Sequence, residues 1–205
     1  MSGRLIIVLG ASGVGKDSVI AYARSALDNR HAVRTVNGHE GKTCIAAHGA
    51  RAPQVRFAQR YITRPAAAGG EAHREMNADE FALWLAHDRF ALWWQSHGLQ
   101  YGIGTEIDAW LAGGVTVVVN GSRANIAAAQ QRYPELEVAL FTATPATLAA
   151  RLAARGRESG ADIATRLARS TPPLPDTISV HEIANDGALE AAGEQFLALL
   201  LGQPG

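Results

Sequence analysis

The stretch Leu5-Ile6-Ile7-Val8-Leu9-Gly10-Ala11-Ser12-Gly13-Val14-Gly15-Lys16-Asp17-Ser18 decides the fold. Its first five residues form a continuous apolar run ending at a glycine, the pattern of a strand buried on both faces in a parallel sheet. From Gly15 to about Leu27 the period becomes helical, with Val19, Ile20, Ala23 and Leu27 near one face. Between the two, Gly10, Gly15 and Lys16 satisfy the pattern G-x-x-x-x-G-K. Phosphate oxygens must approach several backbone N–H groups at once, and side chains would block them. Glycines let the loop curl tightly, and the helix that follows presents its positive end. The run Gly10, Ala11, Ser12, Gly13, Val14, Gly15 and Lys16 is therefore read as an ATP-phosphate cradle, with Lys16 reaching the β- and γ-phosphates.

The next position departs from the pattern. Asp17 stands where Ser or Thr is expected, and Ser18 follows it. Three readings are open. Asp17 ligates Mg²⁺ directly or through water, or Ser18 takes that place, or Asp17 only complements the helix N-terminus.

Working outward, strand-like and helix-like segments alternate. Strands are expected at 55–62, 90–95, 100–103, 115–119, 137–142 and 177–183, with Ser96-His97-Gly98 joining the second and third, and helices at 77–88, where Asn77-Ala78-Asp79-Glu80 reads as a cap and acidic first turn, 104–111, 124–133, 145–155, 162–170 and 188–201. Residues 28–53 sustain no period and read as a surface excursion with a short strand at 32–36. This alternation predicts an α/β P-loop NTPase fold, a parallel sheet sandwiched by helices, in one domain over 1–205.

Composition narrows the function classes. The 205 residues are 47% hydrophobic, enough for one large core. Nineteen Lys plus Arg balance nineteen Asp plus Glu, so the basic excess of a nucleic-acid binder is missing. The single cysteine, Cys44, excludes an intrachain disulfide and reads as a small apolar residue. No signal segment is visible and no apolar run approaches the roughly 18 residues that span a membrane. A cytoplasmic protein with small-molecule partners is expected, with no nucleic acid, no membrane, and a homo-oligomer allowed for. The scattered histidines show no metal-ligand spacing. Trp84, Trp93, Trp94 and Trp110 read as packing residues, with Trp93-Trp94 also a candidate wall of a pocket.

Several motifs together resemble the guanylate-kinase-like P-loop family. They are Gly10 to Lys16, Arg60-Tyr61-Ile62-Thr63-Arg64-Pro65 with Gly70-Glu71, Tyr101-Gly102, Arg155-Gly156-Arg157, Arg166-Leu167 and Asn185-Asp186. Within it, Gly15-Lys16-Asp17-Ser18, Gly70-Glu71-x-His73, Tyr101-Gly102-Ile103-Gly104, Val119-Asn120-Gly121-Ser122-Arg123 and Arg155-Gly156-Arg157-Glu158 look like the ribose 1,5-bisphosphate phosphokinases. That resemblance implies ATP-dependent conversion of ribose 1,5-bisphosphate to 5-phosphoribosyl 1-diphosphate (PRPP) in phosphonate catabolism, with ATP and Mg²⁺ required. It also implies an acceptor-binding segment at about 60–104 and a lid at about 155–165.

The chain departs from guanylate kinases where they carry a second arginine, a tyrosine and an acidic residue after the central strand. Here those stretches read Pro65-Ala66-Ala67-Ala68, Ala72-His73-Arg74-Glu75 and Asn120-Gly121-Ser122-Arg123. The losses fit a sugar bisphosphate better than GMP.

Phosphoryl transfer asks for positioning and charge neutralisation. The acceptor is already an anionic phosphate, so no general base is assigned. The resemblance implies that Lys16, Arg155, Arg157 and Arg166 act on the transferring group, and that Arg151 joins them at the nucleotide. Helical spacing puts Arg151 and Arg155 on one face. It implies Arg64, Glu71, His73, Tyr101, Ser122 and Arg123 for the acceptor, with Arg123 on a second phosphate. The rival readings are a nucleoside monophosphate kinase and a non-catalytic guanylate-kinase-like binding module. The second rival is disfavoured by the presence of Lys16, Arg155 and Arg157.

Overall fold

The computed structural model describes residues 3–36, 54–66, 72–154 and 173–203. In chain order the described elements are β1 (Leu5–Gly10), α1 (Lys16–Val36), β2 (Val55–Phe57), β3 (Arg60–Ile62), β4 (Arg74–Glu75), α2 (Ala78–Ala86), β5 (Phe90–Ser96), β6 (Leu99–Gly104), α3 (Glu106–Ala112), β7 (Thr116–Asn120), α4 (Ile126–Arg132), β8 (Glu137–Thr142), α5 (Pro145–Ala154), β9 (Ser179–Ala184) and α6 (Leu189–Leu200).

The apolar run of β1 sits at the centre of a five-stranded parallel sheet ordered β2-β7-β1-β8-β9. Ile7 lies in register with Val119 on one side and Val138 on the other. Alternate residues of β1 serve the two faces. Leu5, Ile7 and Leu9 pack with Ile107 of α3 and with Ile126 and Ala129 of α4. Ile6 and Val8 pack with Val19, Ala23 and Leu27 of α1 and with Phe196, Leu197 and Leu200 of α6. Side chains of this size contribute about 1.5–3 kcal/mol each when fully buried, so a strand with no polar face belongs in the middle layer. Because the strands are parallel, their carboxyl ends share one edge, where such sheets bind ligands.

A second, four-stranded sheet is ordered β4-β3-β6-β5. The hairpin expected around Ser96-His97-Gly98 is present, with β5 and β6 antiparallel. His97 and Gly98 both take positive φ at its tip. Tyr101 and Trp94 form a cross-strand stacked pair with ring centroids 5.3 Å apart. Helix α2 closes the other face through Phe81, which stacks on Phe90 at 4.5 Å. Its start follows the expected cap, Asn77 Oδ1 accepting from the Glu80 N–H at 2.7 Å.

Four local expectations need correcting. The strand expected at 32–36 is helical, because α1 runs on to Val36. The single strand expected at 55–62 is two strands in different sheets. Ala58 still donates to the Val118 carbonyl at 2.8 Å, and the chain then crosses to the small sheet. The helix expected from Gly104 begins at Glu106, since Gly104 is paired with Phe90 at the end of β6. Trp93 is 43% exposed, on the outward side of a strand whose inward residues are Leu92 and Trp94. The helix expected at 162–170, the rest of the excursion at 37–53, and Cys44 lie outside the described residues.

At the opposite edge of the core sheet, Arg4 grips Glu137 with both Nε (2.7 Å) and Nη2 (2.8 Å), and His181 Nε2 stands 2.8 Å from the same carboxylate. The guanidinium of Arg4 is the main reason that the Glu137 carboxyl titrates below its usual range. Among the described residues no helix is long and apolar enough to cross a membrane.

Candidate active site

The loop between β1 and α1 is shaped by three glycines with positive φ, Gly10 (156°), Gly13 (87°) and Gly15 (92°). Two of them are also places where a side chain has no room. A Cβ on Gly10 would sit 2.7 Å from the Phe141 carbonyl oxygen, and one on Gly15 would sit 2.7 Å from Asn185 Nδ2. The ammonium of Lys16 closes over the loop onto the Gly10 carbonyl at 2.9 Å. The Val14 carbonyl points outward and accepts from Asn185 Nδ2 (2.7 Å) and Arg151 Nη1 (3.0 Å). Those two side chains tie the loop to α5 and to the residue after β9. Beyond Asn185, the exposed Asp186 carboxylate accepts from the Thr144 N–H at 2.7 Å, which holds its pKa down.

Asp17 and Ser18 face different spaces. Asp17 lines a cleft of about 130 Å³ between the core sheet and the small sheet. Ser18 lines another, of about 310 Å³, with Gly13, Gly15, Arg151 and Asn185. Asn120, at the end of β7, donates from Nδ2 to Asp17 Oδ1 at 3.1 Å. No group of three His, Cys, Asp or Glu side chains converges among the described residues. A dedicated protein cage for a metal is therefore not what is built there. A carboxylate, an amide oxygen and neighbouring phosphates are instead the donor set that suits Mg²⁺, which keeps waters and binds through one or two carboxylates plus substrate oxygens. These residues fit such an ion, which Asp17 could hold with Asn120 bonded to its carboxylate.

Across the cleft from α1 stands Arg60. It is 9% exposed, and its guanidinium lies 5.3 Å from the Trp94 ring and 5.0 Å from the Tyr101 ring. Arg24 enters the same cleft from α1, 4.6 Å over the Phe57 ring. Tyr101 itself is buried in the core cluster. Arg64 and His73 meet on the small sheet, Nη2 to Nδ1 at 3.5 Å, and His73 Nε2 lies 3.1 Å from the Arg64 carbonyl. Arg64 borders an open cavity of about 650 Å³ with Thr63, Glu75, Asn77 and Gln100. Ser122 and Arg123 share a further cavity, about 330 Å³, with Gly10, Ala11 and Thr142.

The geometry thus gathers Gly10 to Ser18 and Arg151 at one edge, pairs Arg64 with His73, and sets Ser122 and Arg123 beside the start of the loop. Glu71, Arg155, Arg157, Arg166 and the lid at 155–165 lie outside the described residues. Sequence reasoning gave no site role to Arg24, and treated Arg60, Asn120 and Asn185 only as motif letters. The two asparagines had a legible signal, since each directly ends or follows a strand of the parallel sheet. Arg24 had none, being one more polar residue on a helix.

No family model matches the chain. A ribose 1,5-bisphosphate phosphokinase PhnN of Burkholderia mallei is 46% identical over 200 residues, covering 97% of this chain and 96% of that protein. The chain belongs to the ribose 1,5-bisphosphate phosphokinase family. Another member, from Laribacter hongkongensis, is 47% identical over 199 residues, although the chain spans only 43% of that protein's length. Among solved structures, a guanylate kinase from Anaplasma phagocytophilum superposes with a TM-score of 0.61 at 12% identity, covering 97% of this chain and 85% of that one. That likeness concerns the fold, a P-loop kinase with a parallel sheet between helices, as the sequence led us to expect. Around the glycine loop, the Asp17–Asn120 pair and the cleft lined by Arg24 and Arg60 are the features a reaction would have to use.

Proposed function

We propose that the protein transfers the γ-phosphoryl group of ATP to the 1-phosphate of ribose 1,5-bisphosphate, giving PRPP and ADP. The observation that carries this reading is the cleft lined by Asp17 and Arg24 of α1, by Asn120 beside the loop, and by Arg60 on the opposite wall. Membership of the family supports it.

An oxygen of the acceptor phosphate attacks the γ-phosphorus, the bond to the β–γ bridging oxygen breaks, and ADP leaves with that electron pair. The attacking oxygen is already anionic, so the protein need not remove a proton. Its work is to bring two anions together and hold them in line. The loop N–H groups and Lys16 hold the β- and γ-phosphates. Arg151, attached to the Val14 carbonyl, keeps α5 against the loop at the nucleotide. Asp17 holds Mg²⁺, which when bound neutralises charge on those phosphates; Asn120 fixes the carboxylate. Ser18, facing the other cavity, is the weaker candidate for that ion.

Glu71, Tyr101 and Arg64, the last oriented by His73, are assigned to the acceptor side, within a segment at about 60–104, and Ser122 and Arg123, after β7, are assigned to the acceptor as well. Arg155, Arg157 and Arg166 are assigned to a lid at about 155–165 that closes on the transferring group. The whole chain acts as one kinase domain in the cytoplasm.

Phosphorus NMR of mixtures with Mg-ATP and either ribose 1,5-bisphosphate or GMP tests the reading. A new diphosphate on the sugar is expected with the first acceptor. Turnover of GMP alone would replace this activity with a nucleotide kinase, and binding of ATP with turnover of neither would point to a binding module.

A further inference from the structure

Helix α1 presents one stripe to the cleft: Asp17, Ile20, Ala21 and Arg24, at the i, i+3, i+4, i+7 spacing of a single face. The stripe changes character along its length. Its start is the carboxylate beside the phosphate loop, its middle is apolar, and its end is a guanidinium. Arg24 lies seven residues beyond Asp17, about 10 Å along the axis at 1.5 Å per residue. The opposite wall carries Arg60, held on a strand among Trp94 and Tyr101.

Both guanidinium groups lie against aromatic rings, Arg24 4.6 Å from the Phe57 centroid and Arg60 within 5.3 Å of the Trp94 and Tyr101 centroids. A guanidinium set against an aromatic ring keeps its charge, and its fork of N–H donors matches the oxygens of a phosphate. The cleft, about 130 Å³, is well below the roughly 300–1,000 Å³ of sites for drug-sized ligands. It suits a compact anion on a small sugar rather than a purine. Arg123, expected from sequence to hold a second phosphate, lines a separate cavity with Gly10 and Ala11.

We propose that Arg24 and Arg60 form the subsite for the acceptor's non-reacting phosphate, the one on ribose C5, and so set the preference for a sugar bisphosphate over a sugar monophosphate. This rests on the function proposed above. The reacting phosphate lies at the Asp17 end of the cleft, and the arginines hold the other end of the same molecule.

The test is calorimetric titration of the full chain with ribose 1,5-bisphosphate and with ribose 1-phosphate, in the wild type, Arg24→Met and Arg60→Met. The wild type is expected to favour the bisphosphate by about 10- to 100-fold, the range of hydrogen bonds to charged groups. Each variant is expected to lose most of that advantage while its affinity for ribose 1-phosphate stays near the wild-type value. An undiminished advantage in both variants, or no advantage in the wild type, overturns the subsite. Arg60→Met removes a buried group, so Arg24→Met, whose side chain is exposed, is the deciding variant if the first fails to fold. Steady-state turnover of the bisphosphate with ATP is read in parallel. Its absence in the wild type would overturn the proposed function, while the binding ratio still decides the subsite.

Discussion

The Nδ2 amide of Asn120 donates a 3.1 Å hydrogen bond to Oδ1 of Asp17, joining the end of β7 to the first turn of α1 across 103 positions of sequence. A P-loop ordinarily puts a hydroxyl after its lysine. Here the carboxylate is on the helix and a neutral amide is on the strand. The Mg²⁺ requirement should therefore follow Asp17. Asp17→Ala is expected to move the Mg²⁺ activation midpoint up by about 10- to 100-fold, with metal-free ATP affinity nearly unchanged, and Asn120→Ala to give a smaller shift in the same direction. Mg²⁺ titrations of activity, paired with nucleotide binding in EDTA, check both. Coincident Mg²⁺ curves for wild type and Asp17→Ala would remove the metal role.

Asn185 is 3% exposed and spends its amide on the Val14 carbonyl, which it shares with Arg151. Asn185→Ala is expected to cost about 0.5–1.5 kcal/mol in urea unfolding, the range for one hydrogen bond lost while Arg151 still serves the carbonyl. Because Arg151 serves the same acceptor, the double variant Asn185→Ala/Arg151→Ala should deviate from additivity by about 0.5–3 kcal/mol. Strict additivity would mean that the two side chains do not act together on the loop.

Gly15 combines a φ of 92° with a missing Cβ that would come within 2.7 Å of Asn185 Nδ2. Gly15→Ala is expected to displace that amide and open the loop, so ATP binding should fall far more than the unfolding midpoint. Equilibrium dialysis with labelled ATP, beside thermal unfolding, separates the two effects. Wild-type ATP affinity in this variant would show that the loop tolerates a side chain there.

Glu137 is clasped by Arg4, and its pKa is lowered from the usual 4.5 mainly by that hydrogen-bonded guanidinium. A carboxyl whose folded pKa is depressed binds more protons when unfolded, so its contribution is present above its unfolded pKa and is lost as pH falls through the folded value. Glu137→Gln should be less stable than wild type at pH 7, and the gap should shrink below about pH 4.5. Denaturant unfolding at a series of pH values measures it. A gap that is constant with pH would assign the cost to packing instead.

Much of the fold was legible because its signals are local. The buried run of β1, the glycine loop and the helical period after Lys16 each lie within a dozen residues, and backbone sterics and hydrophobic periodicity act over that span. The hairpin around His97 and the cap at Asn77 were legible for the same reason. The misread stretches are those where local pattern is ambiguous. Alternation through 55–62 looks like one strand, and only pairing with different partners splits it at Ala58. Trp93 and Trp94 are identical letters, and the pleat alone sends one outward and the other under Arg60.

The sequence by itself determined the strand, the glycine loop and the helix that follows it, at which residues each falls, since that arrangement needs only a strand, a tight loop and a turn of helix in succession. Tertiary structure decided what surrounds the loop. Asp17 meets Asn120, Val14 meets Asn185 across 171 positions, and Arg24 meets the cleft of Arg60. Parallel strands bring their carboxyl ends to one edge from distant parts of the chain, and no local propensity records which side chains arrive there together.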